Sequence, residues 1–386
     1  MKRLILLATA VAVLATSCEK TEIQNEVLSP IGFTSKVNKQ TKAIAGASYL
    51  PEQPFGVYAY SKQGTANAVT VMNNVEISST SQTVEGQTSY TWKATTGTYY
   101  WPNDASTVMN FYAYSPCYNG TYGTNVPNHQ KLNGTISHTE PVTTTNGEGE
   151  NVTTVTTGGL NIEGYTHTNM YVDFMVADDV IGATYSDQNG SLEGTPAAVP
   201  VKFKHQMTQI VFDVQLNKQY TTTVNSEEIG AEFTLEEIKL TGINSVANYT
   251  NGVLSTTGST TSEYVVFPAV NVGETNGCPS IATAQDNQAA TRVSKIANVE
   301  NSTNTFEIYP VTMLPQELAN QKIIIKYKIE GEGVATEVVT KEIPLANTAA
   351  WASNKRITYK LTIGLNEILF NPSVTGWDDE DEEYNI

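Results

Sequence analysis

The chain has 386 residues, with 39 acidic side chains against 22 basic ones and a formal net charge of −17. A surface this acidic repels phosphate backbones, so nucleic acid is not an expected partner. Three cysteines exclude a disulfide-built scaffold, and the length suits more than one domain.

Residues 1–17 read as a cleaved signal peptide. Lys2 and Arg3 give a basic start, and Leu4–Ala15 is an apolar run. Its 12 residues are too few to span a bilayer, which takes about 20. Ala15, Thr16 and Ser17 are small and stand directly before Cys18. That arrangement resembles a lipoprotein signal, in which Cys18 takes the acyl chains and becomes the mature N-terminus. Ala15 departs from the usual Leu at its position, and an ordinary cut nearby is the alternative. Acyl chains on Cys18 would hold the protein to the outer membrane. Loss of Lys2 and Arg3 leaves 20 basic against 39 acidic residues, a charge near −19.

Glu19–Ser29 is polar and reads as a tether. Ile31, Phe33, Ser35 and Val37 alternate with Gly32, Thr34 and Lys36, which is the period of a strand. The small-residue stretch around Thr41–Ala43 has the composition of an exposed loop, where proteases cut. Pro51–Ala198 reads as the body of a first domain, which spans 18–198. Asn73-Asn74, Asn119-Gly120, Asn133-Gly134, Asn146-Gly147 and Asn189-Gly190 are turn signals. Asn119–His167 is poor in apolar residues and predicts long loops and marginal hairpins. Tyr165, Met170, Tyr171, Phe174 and Met175 predict a return to core.

Val199–Leu216 is the strongest strand pattern in the chain. Val201, Phe203, His205 and Met207 share one face; Ile210, Phe212, Val214 and Leu216 continue it after a slip of one residue. The slip predicts a β-bulge near Thr208–Gln209. The stretch is expected to open a second domain, 199–365. Phe233–Ile243, Tyr264–Phe267, Ile323–Ile329 and Ile357–Leu365 predict further strands. Asn251-Gly252 predicts a hairpin, and Thr275–Thr303 a polar loop. Many short strands between Gly, Pro and Asn turns, without sustained helical periodicity, argue for an all-β chain built of β-sandwiches.

Residues 366–386 follow what reads as a last strand. Ile368, Phe370, Pro372 and Val374 point one way; Leu369, Asn371, Ser373, Thr375 and Trp377 point the other. Pro372 bars a helix and suits a sheet edge. Asp378–Glu383 is an unbroken acidic run that stays in water. A hydrophobic strand with a solvated tail needs a groove, in its own domain or in a neighbour's.

No cofactor, metal or catalysis is expected. His129, His138 and His167 lie in Thr- and Gly-rich stretches, and His205 is on the core phase of a strand. No His or Cys pair has zinc-ligand spacing. Cys117 and Cys278 read as separate thiols. The motifs of serine hydrolases, zinc proteases and nucleotide-binding loops are missing from the sequence. Tyr90, Trp92, Tyr99, Tyr100, Trp101, Tyr112 and Tyr114 suit either core and sheet-edge pairing or stacking on sugars.

Phe203-Lys204-His205 and the amphipathic run after it resemble a segment of the fimbrillin family of Bacteroidetes. Phe55–Tyr60, Tyr99–Pro116, Leu314–Ile329 and Trp351–Leu365 are similar to family segments in the same order. The resemblance implies two tandem transthyretin-like β-sandwich domains in a surface pilus subunit that joins other fimbrial subunits. It implies proteolytic loss of the first strand, 31–37. Family proteases typically cut after Arg, and no Arg lies between Arg3 and Arg292, so Lys36, Lys39 or Lys42 must serve. The vacated groove would take a C-terminal donor strand, with Ile368, Phe370 and Val374 as the inserting residues. Shaft, tip and anchor roles stay open. So does a monomeric surface lipoprotein that binds glycans through exposed aromatics.

Overall fold

Strand-forming alternation carries through to the structure, a computed structural model whose elements among the described residues are β-strands. It describes residues 29–37, 53–84, 87–104, 106–117, 132–148, 151–170, 172–185, 198–216, 221–224, 227–258, 260–267, 308, 310–331, 334–346, 348–364 and 368–377. Cys18, Lys39, Lys42, His129, Cys278, the stretch 275–303 and the acidic run 378–383 lie outside them.

The strands in chain order begin with β1 Gly32–Val37, β2 Phe55–Gln63, β3 Val69–Val84, β4 Gln87–Ala94 and β5 Thr107–Ser115. Next come β6 Thr135–Glu148, β7 Asn151–Thr166, β8 Met175–Ala177, β9 Val180–Ala183, β10 Ala198–His205 and β11 Thr208–Leu216. Then follow β12 Thr221–Val224, β13 Glu227–Gly230, β14 Glu232–Asn244, β15 Val246–Thr250, β16 Val253–Thr256 and β17 Thr261–Phe267. The last are β18 Val311–Met313, β19 Lys322–Gly331, β20 Val334–Pro344, β21 Lys355–Ile363 and β22 Ile368–Gly376.

The N-terminal strands form one eight-stranded sheet in the order β2-β3-β4-β1-β10-β8-β5-β9. A ladder from Gly56↔Tyr114 to Gln63↔Thr107 joins β2 to β5, so the sheet closes on itself. Phe33, Phe55, Val57, Ile77, Phe111 and Phe203 are among the buried residues that fill its core. Closure removes the open edges that would otherwise invite pairing with other chains.

A second core lies between two four-stranded sheets, β18-β11-β21-β22 and β17-β14-β19-β20. Phe212, Val214, Tyr359 and Leu361 enter it from one sheet, and Leu235, Ile238, Ile325 and Tyr327 from the other; all are buried. Lys239, Lys322, Lys326 and Lys328 pair with Glu263, Glu342, Glu236 and Glu330 at 2.7–3.2 Å. Such exposed pairs add little stability but keep that surface hydrophilic.

The run Val199–Leu216 is thus two strands in two sheets. β10 joins the closed sheet and β11 the second body, with Gln206 and Met207 between them. The slip expected as a bulge near Thr208–Gln209 is this handover, and the sheets divide there rather than at Val199. A third cluster bridges the bodies. It collects Tyr58, Tyr112, Phe174, Tyr249, Leu314 and Trp377 among others. The sheet β16-β15-β7-β6 covers it, with one hairpin from each half of the chain. Residues 135–166, expected as loops and marginal hairpins, are in fact a long ribbon of β6 and β7.

Asn251-Gly252 forms the expected hairpin turn between β15 and β16, with φ of 52° and 80°. Asn73-Asn74, expected as a turn, is an irregularity inside β3. Asn74 takes a φ of 53° there, and its Oδ1 accepts a 2.6 Å bond from the Tyr114 hydroxyl.

His167 sits at the joint of the two bodies. Its Nε2–H donates to the Thr312 carbonyl at 2.7 Å, and the Tyr165 hydroxyl lies 3.2 Å from Nδ1. Burial lowers its pKa from 6.5 to about 4. The unfolded chain therefore binds this proton more readily than the folded chain between about pH 4 and 6.5. Stability is complete above 6.5 and falls as the pH drops toward 4, by on the order of 3 kcal/mol from this site. In urea unfolding at pH 7 and pH 4.5, His167→Gln is expected to flatten that acid loss relative to the parent. An equal loss in both proteins would refute the assignment.

Candidate assembly site

The site is the slot that β1 fills in the closed sheet. One edge of β1 runs parallel to β10 in a full register, from Gly32↔Ala198 to Val37↔Phe203. Toward β4 the ladder is reduced to Phe33↔Trp92. The strand entrance is clamped: Ile31 N–H donates to the Tyr99 carbonyl at 2.8 Å, and Trp101 N–H to the Ser29 carbonyl at 3.0 Å. β1 is a wedge, well bonded on one side and lightly on the other.

Its apolar face explains why it stays. Ile31 and Phe33 are buried. The Phe33 ring meets Phe55 edge-on at 5.9 Å and Phe111 at 6.0 Å. Phe55 in turn packs on Trp92 at 5.3 Å and on Phe203 at 5.4 Å. Each such side chain contributes roughly 1.5–3 kcal/mol when fully buried. Without β1 the ring would open between β4 and β10, leaving unpaired backbone on β10 and an aromatic floor facing water.

Of the three lysines expected at the cut, Lys36 is part of the ladder, opposite Lys202. The other two lie outside the described residues.

The expected donor residues sit at the opposite end of the chain's fold. Among the described residues β22 forms the outer strand of its sheet and pairs antiparallel with β21 alone, from Lys355↔Gly376 to Ile363↔Ile368. Ile368 and Phe370 are half-buried against the second core, and the Phe370 ring stacks on Tyr359 at 5.4 Å. Val374 lies on the same side but remains 46% exposed.

Trp377 groups by alternation with Leu369, Asn371, Ser373 and Thr375 on the opposite phase of the strand. It is buried at 2% exposure and stacks on His205 at 3.9 Å and 9°. His205 Nδ1 lies 2.6 Å from Asp173 Oδ2, and the backbone N–H of Trp377 donates to the Asn354 carbonyl at 2.9 Å. The end of β22 is therefore pinned at the handover between β10 and β11. Reading the sequence strand by strand missed this contact. The available signal was a single Trp after a Gly-ended strand, together with a His on an apolar face.

Most of the remaining candidates are packed. Trp92, Trp101, Tyr112 and Tyr114 are buried, whereas Tyr90 and Tyr100 are exposed. His138 lies among Tyr58, Tyr60 and Tyr112, with ring centroids 4.2–5.4 Å away. Burial lowers its pKa to about 4, and burial foremost raises that of Tyr58 to about 12. Cys117 is buried, and its Sγ lies 3.8 Å from Asn74 Oδ1. Among the described residues no group of His, Cys, Asp and Glu is arranged to hold a metal ion.

The sequence model of the fimbrillin-like family matches residues 41–377. The chain belongs to the fimbrillin-like family. That match starts after β1 and ends at Trp377. Solved structures of similar proteins include a fimbrial protein from Bacteroides vulgatus, 19% identical, with a TM-score of 0.47 over 90% of this chain and 99% of that one. Another is the tip fimbrial protein Mfa3 from Porphyromonas gingivalis, 11% identical, with a TM-score of 0.28 over 90% and 99%. No curated protein matches the chain. Membership of the fimbrillin-like family makes this a fimbrial, cell-surface component.

Proposed function

We propose that this chain is a structural subunit of a cell-surface fimbria that polymerises by strand exchange and supports adhesion. In this reading the two bodies are tandem transthyretin-like domains. Cys18 carries lipid and routes the precursor to the outer membrane. A protease then cuts between β1 and β2, releasing the lipid together with β1. The emptied slot receives a strand from another fimbrial subunit, with Ile368, Phe370 and Val374 as donor residues.

The observation that carries the reading is the wedge. β1 contributes Ile31 and Phe33 to the core, yet it is held by a full ladder on one edge only. A segment built that way can be lost without dismantling the rest of the ring, and its loss leaves a site shaped for an extended chain. Lys36 is a poor cut position while β1 is in place, because a protease needs extended backbone free of a ladder and Lys36 is in one.

Mass spectrometry of surface-extracted protein tests this. The mature N-terminus is expected between Val37 and Ala43. Purified filaments containing only full-length chain acylated on Cys18 would rule the reading out.

A further inference from the structure

Strand β20 ends its sheet with one side unused. It pairs with β19 from Lys322↔Pro344 to Gly331↔Val334, and among the described residues no strand pairs with its other side. The N–H and C=O groups along such an edge recruit strands of other chains unless something blocks them.

The register shows what blocks this one. Ile323, Ile325, Tyr327 and Ile329 of β19 are buried, and opposite them on β20 stand Ile343, Lys341, Val339 and Glu337. The core phase of the outer strand therefore carries two charges. Val339 and Ile343 pack on the second core, Lys341 is half-buried and Glu337 is exposed. Four residues along a strand span about 13 Å, so Lys341 and Glu337 cannot pair with each other. Neither has an ion-pair partner among the described residues, whereas Lys239, Lys322, Lys326 and Lys328 of the same sheet each have one. Charges on the core phase of an edge disfavour any incoming strand that cannot match them.

β20 itself can match them. We infer that β20 pairs antiparallel with β20 of a second copy, about a two-fold axis through Val339. That register sets Glu337 opposite Lys341 of the second copy, and Lys341 opposite its Glu337. Opposite charges directly across an antiparallel pair stabilise it, and like charges destabilise it. Val339 meets its own counterpart, Val338 meets Thr340, and no like charges oppose each other between Ala335 and Ile343. Residues on the core phase meet residues on the core phase, so both cores lie on one side and the two four-stranded sheets run on as one. The contact is isologous and closes with two copies.

No other outer strand of the described four-stranded sheets is self-complementary in charge. β16, β18 and β22 carry no charged residue, and β17 carries only Glu263. β6 carries Glu140 and Glu148 without a lysine or arginine. The pairing goes beyond strand exchange and does not depend on it, because β20 belongs to the second body and β1 to the closed sheet.

Sedimentation of uncut chains carrying Cys18→Ser, which leaves out any lipid, tests the pairing. The parent is expected as a dimer in concentration-dependent exchange with monomer. Lys341→Glu and Glu337→Lys should each weaken self-association by about tenfold to a hundredfold, since each sets like charges across the axis twice. An equimolar mixture of the two should dimerise again, because one chain then brings two glutamates and the other two lysines. The double variant with Glu337→Lys and Lys341→Glu should dimerise like the parent. Recovery on mixing also shows that neither single variant is misfolded. A parent that stays monomeric at millimolar concentration overturns the pairing. So do single variants that dimerise like the parent, single variants that stay apart when mixed, or a β20 edge that takes up only a different protein.

Discussion

Phe33→Ala is expected to destabilise the uncut chain by about 3–5 kcal/mol, the usual cost of emptying a buried phenylalanine site. The substitution removes the edge-on contacts to Phe55 and Phe111 and leaves a void at the centre of the closed ring. Relaxation into that void is limited because the rings around it are themselves packed, Phe55 on Trp92 and Phe203 and Phe111 on Trp101. Urea unfolding of the precursor reads the effect directly. Under the proposed strand exchange the same substitution should leave the finished filament unchanged, since the residue would depart with β1 before assembly. A precursor with unaltered stability would mean that β1 does not plug the ring. A weakened filament would mean that β1 is retained.

Much of this fold was readable from alternation alone. Ile323–Ile329 and Ile357–Ile363 put every second side chain into one core, and the period survives because one face of each strand is covered and the other is wet. The Asn251-Gly252 turn was equally plain, since few other pairs tolerate two positive φ angles. The handover at Gln206–Met207 was not. A bulge and a change of sheet both shift the phase by one residue, and only the partners distinguish them: Val176 and its neighbours for β10, Ile357 and its neighbours for β11.

The β6–β7 ribbon escaped for a different reason. Its strands are rich in threonine, which suits a pleated backbone but supplies no apolar rhythm. Closure of the first sheet was hidden too. The ladder between β2 and β5 joins segments whose intervening strands contain nothing that marks the closure. At the candidate site, the apolar phase of both β1 and β22 was legible. Burial of Trp377 depends on His205 and Asp173 meeting it across the handover, which local pattern cannot show.

Phe370→Ala should behave as the mirror image of Phe33→Ala. In the unassembled chain the ring is only half-covered on an outer strand, so truncation costs about 1–2 kcal/mol, less than a fully buried phenylalanine would. In the filament the same ring would stand in the Phe33 site, against Phe55 and Phe111 of the next subunit. There the loss rises to about 3–5 kcal/mol, which shortens the lifetime of the joint by about a hundredfold to a few thousandfold. Secreted monomer should stay abundant and folded while heat- and detergent-resistant ladders disappear. Urea unfolding of the monomer and ladder persistence against temperature measure the two effects separately. The donor assignment is wrong if filaments of the variant survive like those of the parent. It is also wrong if the monomer loses as much stability as Phe33→Ala does, because the ring would then serve chiefly its own domain.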